Sequence, residues 1–185
     1  MKAGWLLAFC WLSLPAQADL LSEVAGQIQR TEYLSGQFQQ EKHIQVLPLP
    51  LVSTGVFQYQ RGEGVVWELQ TPTRQTLTID AGRGGGRAAV KGKPRDSMTG
   101  LVERLLFSVF SGDLAALQGY FSVAAKGQTS DWELQLTPLG QTVSQFIGDV
   151  RIYGGRHLSK VTIMEANGDS TVIDMSIAKA SVSND

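Results

Sequence analysis

The 185-residue sequence holds a single cysteine, Cys10, and it lies in an apolar run near the start. From residue 11 onward there is no thiol, which excludes disulfides, a cysteine nucleophile and a thiolate metal site from that stretch. Histidine is nearly as scarce: His43 and His157 are the only two, and neither stands at a metal-ligand spacing. There is no G-x-S-x-G elbow. The glycine-rich "GRGGGR" is not followed by G-K-[ST], and the Gly-x-Gly at Gly82 and Gly84 lacks a third glycine, so it is a loop and not a phosphate cradle. Charge of one sign is missing too. Sixteen basic and 17 acidic residues leave a formal charge of −1, so the field of the whole chain selects no partner. After Ala18 no apolar run approaches the roughly 20 residues of a spanning helix. The sequence shows neither an internal repeat nor a low-complexity linker. These absences point away from an enzyme: no catalytic residue, metal site or cofactor is assigned.

What is present begins with "MKAGWLLAFCWLSLPAQA". Lys2 precedes an apolar run from Trp5 to Leu14, Pro15 breaks it, and Ala16-Gln17-Ala18 supplies an A-x-A site, the three parts of a secretory signal. Residues 1–18 are expected to be removed and 19–185 to form one domain in a bacterial periplasm. Cys10 follows Phe9, where an acylated cysteine would follow a small residue, so no lipid anchor is expected. Nucleic acid is not an expected partner of an exported chain.

Leu20, Leu21, Val24 and Ile28 recur at helical spacing and predict an amphipathic helix over 20–33. The period changes to two from Gly36, in "QFQQEKHIQVL", and "PLPL" at Pro48–Leu51 marks a corner between strands. "RQTLTID" is a further strand. The basic cluster Arg83, Arg87, Lys91, Lys93 and Arg95, with no acid between Asp80 and Asp96, reads as a solvated loop after a hairpin tip. Touching anionic headgroups or an acidic surface is its other reading. "SMTGLVERLLFSVFSG" is a helix with an unusually wide apolar arc through Met98, Leu101, Val102, Leu105, Leu106, Val109 and Phe110, with Ser97 as N-cap, and "DLAALQ" adds a turn. The remainder returns to strands, with a turn at Asn167-Gly168. The pattern predicts a mainly β fold, one antiparallel sheet of roughly nine to eleven strands with helices over one side.

"GVFQYQRGEGVVWELQTP", Gly55–Pro72, is the most informative stretch. With Gly62-Glu63-Gly64 as a three-residue loop, Arg61 pairs with Val65, Tyr59 with Trp67 and Phe57 with Leu69. Phe57, Tyr59, Arg61, Val65, Trp67 and Leu69 then share one face. In the last hairpin, a loop at 167–169 sets Ile163 opposite Ile173 and Val161 opposite Met175, with Lys160 and Asp174 pointing away. An aromatic face of this kind is either ordinary core or the wall of an apolar cavity. Arg61 is either an edge residue with its head in water or a polar device.

Taken in order, "LSGQFQQEKHI", "PLVSTGVFQYQRGEGVVWELQTP", "SGDLAALQGYFSV" and "DWELQLTP" resemble the periplasmic outer-membrane lipoprotein carriers, the LolA family, over nearly the whole chain after the signal. F-x-Q-x-K, G-x-F-x-Y-x-R and W-x-x-x-x-P in that order carry the resemblance. It implies an incomplete, unclosed β-barrel with a helical lid over an apolar cavity that shields the acyl chains of a lipoprotein or related lipid. It implies an inner-membrane ABC-type exporter as donor and an outer-membrane receptor or membrane as acceptor, with the carrier itself a monomer. By position, Phe57, Tyr59, Val65, Trp67 and Leu69 would line the cavity, and Arg61 would latch the lid of the empty carrier. A sensor or interaction domain of the same fold, detecting lipids or lipidated proteins, is the second reading.

Overall fold

Two G-x-F motifs organise the centre of the sheet. The computed structural model describes residues 17–81, 88–89 and 98–183. In it, β1 (Thr31–His43) and β2 (Leu51–Gln60) run antiparallel, so that Gly36 lies opposite Phe57 and Phe38 opposite Gly55. Each glycine makes room for the ring across from it. A Cβ on Gly55 would stand 2.5 Å from the Phe38 ring, and one on Gly36 would stand 3.0 Å from that of Phe57. Aromatic side chains lying over cross-strand glycines pin the register of such pairs.

Around this pair the described residues form one ten-stranded antiparallel sheet. On one side β2 is followed by β3 (Gly64–Thr71), β4 (Gln75–Ala81) and the two-residue β5 (Ala88–Ala89). On the other, β1 pairs with β10 (Ser170–Val182), then β9 (Leu158–Glu165), β8 (Ile147–Gly154), β7 (Asp131–Pro138) and β6 (Phe121–Gln128). β5 and β6 each have a strand on one side only, so the sheet is not closed into a barrel. The strand number and the open edge agree with the sequence expectation.

Helices cover one face. α1 (Gln17–Gln29) packs on β6 and against α2 (Met98–Ser111), which lies over β3. A 3-10 turn at Leu114–Leu117 follows, capped where the Asp113 carboxylate accepts from the Ala116 N–H at 3.2 Å. A single turn, α3 (Gln141–Ser144), joins β7 to β8. The core lies between helices and sheet, with Val24, Leu34, Phe121, Trp132, Leu134 and Ile152 among its buried members.

Three expectations need correction. The first helix stops at Gln29, not at residue 33, and β1 begins at Thr31. Thr31 and Tyr33 favour strand over helix, and the period of two is set from there. In the aromatic hairpin the turn is Arg61-Gly62-Glu63, with Gln60 opposite Gly64, Tyr59 opposite Val65 and Phe57 opposite Trp67. Gly62 has φ +78° and the Glu63 N–H donates to the Gln60 carbonyl at 3.1 Å, the pattern of a turn with glycine at its third position. The last hairpin shows the same offset: Ile163 faces Thr171 and Ile173 faces Val161, with Gly168 at φ +87° closing the turn. In both hairpins each residue's partner moves by two, which preserves which face it occupies. Lys160 and Asp174 do point away and form an ion pair at 3.2 Å. The signal-like segment up to residue 16, the Ser97 cap and the basic residues Arg83, Arg87, Lys91, Lys93 and Arg95 lie outside the described residues.

Candidate functional site

The face predicted from the alternation in β2 and β3 is present. Phe57, Tyr59, Val65 and Trp67 are all buried on the helix side of the sheet, and Leu69 is half-buried at the far end of the row. Trp67 stacks on Phe38 with centroids 3.8 Å apart and lies 6.0 Å from Phe57. Phe38 enters the row from β1 because the Phe38–Gly55 pair brings its ring across the strand gap.

α2 supplies what lies against the row. The Phe110 ring is 5.3 Å from that of Phe57 and 6.1 Å from that of Tyr59. Six consecutive residues, Leu105 to Phe110, are buried, so this helix hides almost its whole circumference there. A surface helix needs an apolar stripe on one side only. Among the described residues a void of about 10 Å³ lies between α1, α2 and the sheet, lined by Ile28, Leu34, Val109 and Phe110 together with Arg156 and His157. That is the limit of room for one water. A larger groove of about 360 Å³ lies on the opposite sheet face, beside Gln37, Val56, Gln58 and Val66. On the helix side, among the described residues, it is the Phe110 ring of α2 that lies against the row.

Polar contacts fix α1 and the end of α2. The Gln29 amide donates to the Gly112 carbonyl at 2.9 Å, where the chain leaves α2. Gly112 has φ +72°, and a Cβ there would stand 2.8 Å from the Ala25 carbonyl oxygen. The Gln27 amide donates to the carbonyls of Thr129 and Gly155, and the Trp132 indole shares the Gly155 acceptor at 2.8 Å. α1 is therefore anchored to the turns at one end of the sheet.

Arg61 sits in the β2–β3 turn, one residue past the end of β2, and not at the strand position opposite Val65 expected for it, since Val65 pairs with Tyr59. Its backbone N–H donates to the Glu32 carbonyl at 2.8 Å, its Nη2 donates to the Thr31 carbonyl at 3.1 Å, and its Nε pairs with the Glu32 carboxylate at 2.9 Å. The guanidinium thus reaches the junction of α1 and β1. It lies near Tyr59, whose hydroxyl is pushed above its ordinary pKa by burial, opposed by the charge of Arg61 and reinforced by Glu32. His157, at the void, is held below its ordinary value by burial and by Arg156.

Sequence reasoning placed the row but missed Phe38 and Phe110 as its neighbours. The repeated G-x-F was the available signal for Phe38. Among the described residues no group of three or more His, Cys, Asp or Glu could hold a metal, and no helix is long and apolar enough to cross a membrane.

The family model described as outer membrane lipoprotein carrier protein LolA-like matches residues 15–179. No curated protein sequence matches the chain. Among solved structures, a LolA superfamily protein from Nitrosomonas europaea is 12% identical, with 92% of this chain and 95% of that one covered and a TM-score of 0.44. MucB in the MucA/MucB complex of Pseudomonas aeruginosa is 15% identical at a TM-score of 0.45, and this chain covers 89% of itself but 58% of that one. A DUF1329 family protein from Desulfovibrio piger is 10% identical, with 85% and 89% covered and a TM-score of 0.37.

Proposed function

This chain belongs to the outer membrane lipoprotein carrier protein LolA-like family, and we propose that it is a periplasmic carrier whose α2 occupies, in the empty state, the space that acyl chains take when cargo is bound. In this reading residues 1–18 are removed on export and 19–185 are the working carrier. Phe57, Tyr59, Val65, Trp67 and Leu69 form the cavity wall, and the protein performs no catalysis. The cargo is a lipoprotein or a related lipid collected at the inner membrane and released at the outer one.

The observation that carries the proposal is the burial of α2 on nearly every side, with Phe110 against Phe57 and Tyr59. Burying eight methylenes contributes roughly 6 kcal/mol at about 0.8 each. Withdrawing one well-packed phenylalanine costs about 3–5 kcal/mol. Eight methylenes thus offset the withdrawal of Phe110 alone, and moving the rest of the buried stretch of α2 takes a longer or a second acyl chain against the same wall. Arg61 would act on the other side of the balance. Its bonds to Thr31 and Glu32 hold the start of β1, beside the α1 helix that α2 leans on, and so favour the closed form.

Native mass spectrometry of the protein exported by its own leader tests this. The expected result is a chain starting at Asp19, with no diacylglycerol on Cys10, carrying a lipid adduct or taking one up from micelles. An exported chain that neither retains nor takes up an acyl-bearing molecule sinks the carrier reading.

A further inference from the structure

The apolar side chains left in water are unevenly placed. Among the described residues, nine large hydrophobic side chains are exposed, and five of them, Val46, Leu47, Leu49, Leu51 and Val52, belong to the β1–β2 connection and the first two residues of β2. Val46 is 86% and Leu49 75% exposed. Tracing the antiparallel ladders shows which end of the sheet this is. β1 ends there, as do β7 and β9, so Leu139 just after β7 and Met164 near the end of β9, two more of the nine, lie at the same end. The Arg61 turn and the α1–β1 junction lie at the other, about 40 Å away along the thirteen residues of β1.

The loop is held out and does not fold back. Its Gln45 N–H donates to the Asp169 carboxylate at 3.0 Å, and its Gln45 side-chain amide donates to the Asn167 carbonyl at 2.9 Å. Asp169 is itself buried and is held by Asn167, whose amide donates to it at 2.9 Å. The Leu47 N–H closes a turn on the Ile44 carbonyl at 2.9 Å. Pro48 and Pro50 remove two backbone donors. From Ile44 to Gln60 there is no charged residue. Such a tip carries little that resists leaving water: no ion of its own to desolvate, the Asp169 carboxylate at its base being already buried, few unpaired N–H groups, and side chains that prefer a hydrocarbon boundary.

We propose that the 44–52 tip is a membrane-contact element that inserts into the interfacial layer of a lipid bilayer and sets this end of the sheet against it. Because the tip is uncharged, insertion depends on apolar area, so it is insensitive to salt and does not require anionic lipid. The inference stands independently of the carrier reading.

The test uses the full chain with Cys10→Ser and Pro48→Cys, labelled at residue 48 with a polarity-sensitive fluorophore and mixed with neutral phosphatidylcholine vesicles, some bearing brominated acyl chains. The fluorophore is expected to shift blue and to be quenched by the bromines, equally at low and high salt. Val46→Ser with Leu49→Ser in the same labelled chain is expected to weaken that signal on the order of a hundredfold, two apolar side chains each worth about tenfold. The far-ultraviolet spectrum and melting temperature should not change, since both residues are exposed. An unquenched tip overturns the proposal even if the chain is bound to vesicles by its first residues. So does quenching that the double substitution leaves intact, or that salt abolishes. Concentration-dependent self-association lost in the double variant, without vesicle quenching in the parent, would assign the tip to a second copy of this chain instead.

Discussion

Phe110→Ala separates a lid from a core helix. Phe110 is 2% exposed and its ring meets those of Phe57 and Tyr59 at 5.3 and 6.1 Å. Removing a buried phenylalanine costs about 3–5 kcal/mol, of which each ring pair supplies roughly 0.5–1.5. A domain of this size is stable by about 5–15 kcal/mol, so the variant keeps its fold wherever the parent's stability exceeds that loss, with a melting temperature lower by roughly 6–20 °C. If α2 is a lid, the loss falls mainly on the closed, empty state. Apparent affinity for cargo scales with the population of the competent state. About 2 kcal/mol taken from the closed form alone then tightens acyl-chain binding by roughly thirtyfold. The void left by the ring would also offer the ligand more room. The assay is a titration with a fluorescent long-chain diacyl lipid, run at a temperature where circular dichroism shows parent and variant fully folded. Leu134→Ala, a fully buried site on β7, is the control: it should lower the melt without tightening binding. If Phe110→Ala binds more weakly than the parent, or no better, α2 is permanent core and the displacement mechanism is wrong.

Two further substitutions probe the same site. Val65→Glu places a carboxylate on the buried row at a cost of several kcal/mol unless it stays hydrated. It is expected to abolish lipid binding while the sheet spectrum persists, whereas simple unfolding in a melt would mark the row as structural. Arg61→Leu removes one bond to the Thr31 carbonyl and one ion pair with Glu32, both about a third to a half exposed. With surface pairs worth roughly 0.2–1 kcal/mol and a charge-assisted bond somewhat more, the loss is about 1–2 kcal/mol. Neither contact touches α2, so cargo is expected to be held at most about five- to thirtyfold more tightly, the full factor applying where both contacts break on opening, and to pass slowly to acceptor membranes; transfer at the parental rate would reduce Arg61 to a turn residue.

The parts of this fold that were legible in the sequence are those protected by parity. Alternation told which of Phe57, Tyr59, Val65 and Trp67 share a face, and that survived an error in turn placement because both hairpins were displaced by an even number of residues. The turn itself was not legible. Gly62 and Gly64 both have positive φ, and only the backbone shows that Gly62 makes the bend while Gly64 faces the Ile79 carbonyl, which a Cβ would meet at 2.0 Å. Chemistry joined across long stretches of chain was hidden for the same reason. The Phe38–Trp67 stack requires the β1–β2 register, which depends on how the chain turns between residues 44 and 50, and the target of Arg61 lies thirty residues before it.

The wide apolar arc of the second helix was visible at once but had no explanation in the sequence, and its resolution bears on function. Ordinary amphipathic helices leave one side polar because water covers it. Between Leu105 and Phe110 no side is left for water, since the sheet lies under the helix and α1 beside it. Among the described residues the directional ties of this helix are the Gln29–Gly112 bond just past its C-terminal end and the Arg104 guanidinium over the Tyr120 ring, 4.8 Å from its centroid. Apolar contacts are non-directional, and one set can be exchanged for another of equal area at little cost. A helix whose Leu105–Phe110 stretch is held by such contacts, with one cation–π contact before that stretch and one hydrogen bond after it, is fitted to leave its site when something equally apolar arrives. A helix stapled by hydrogen bonds along its length would not be.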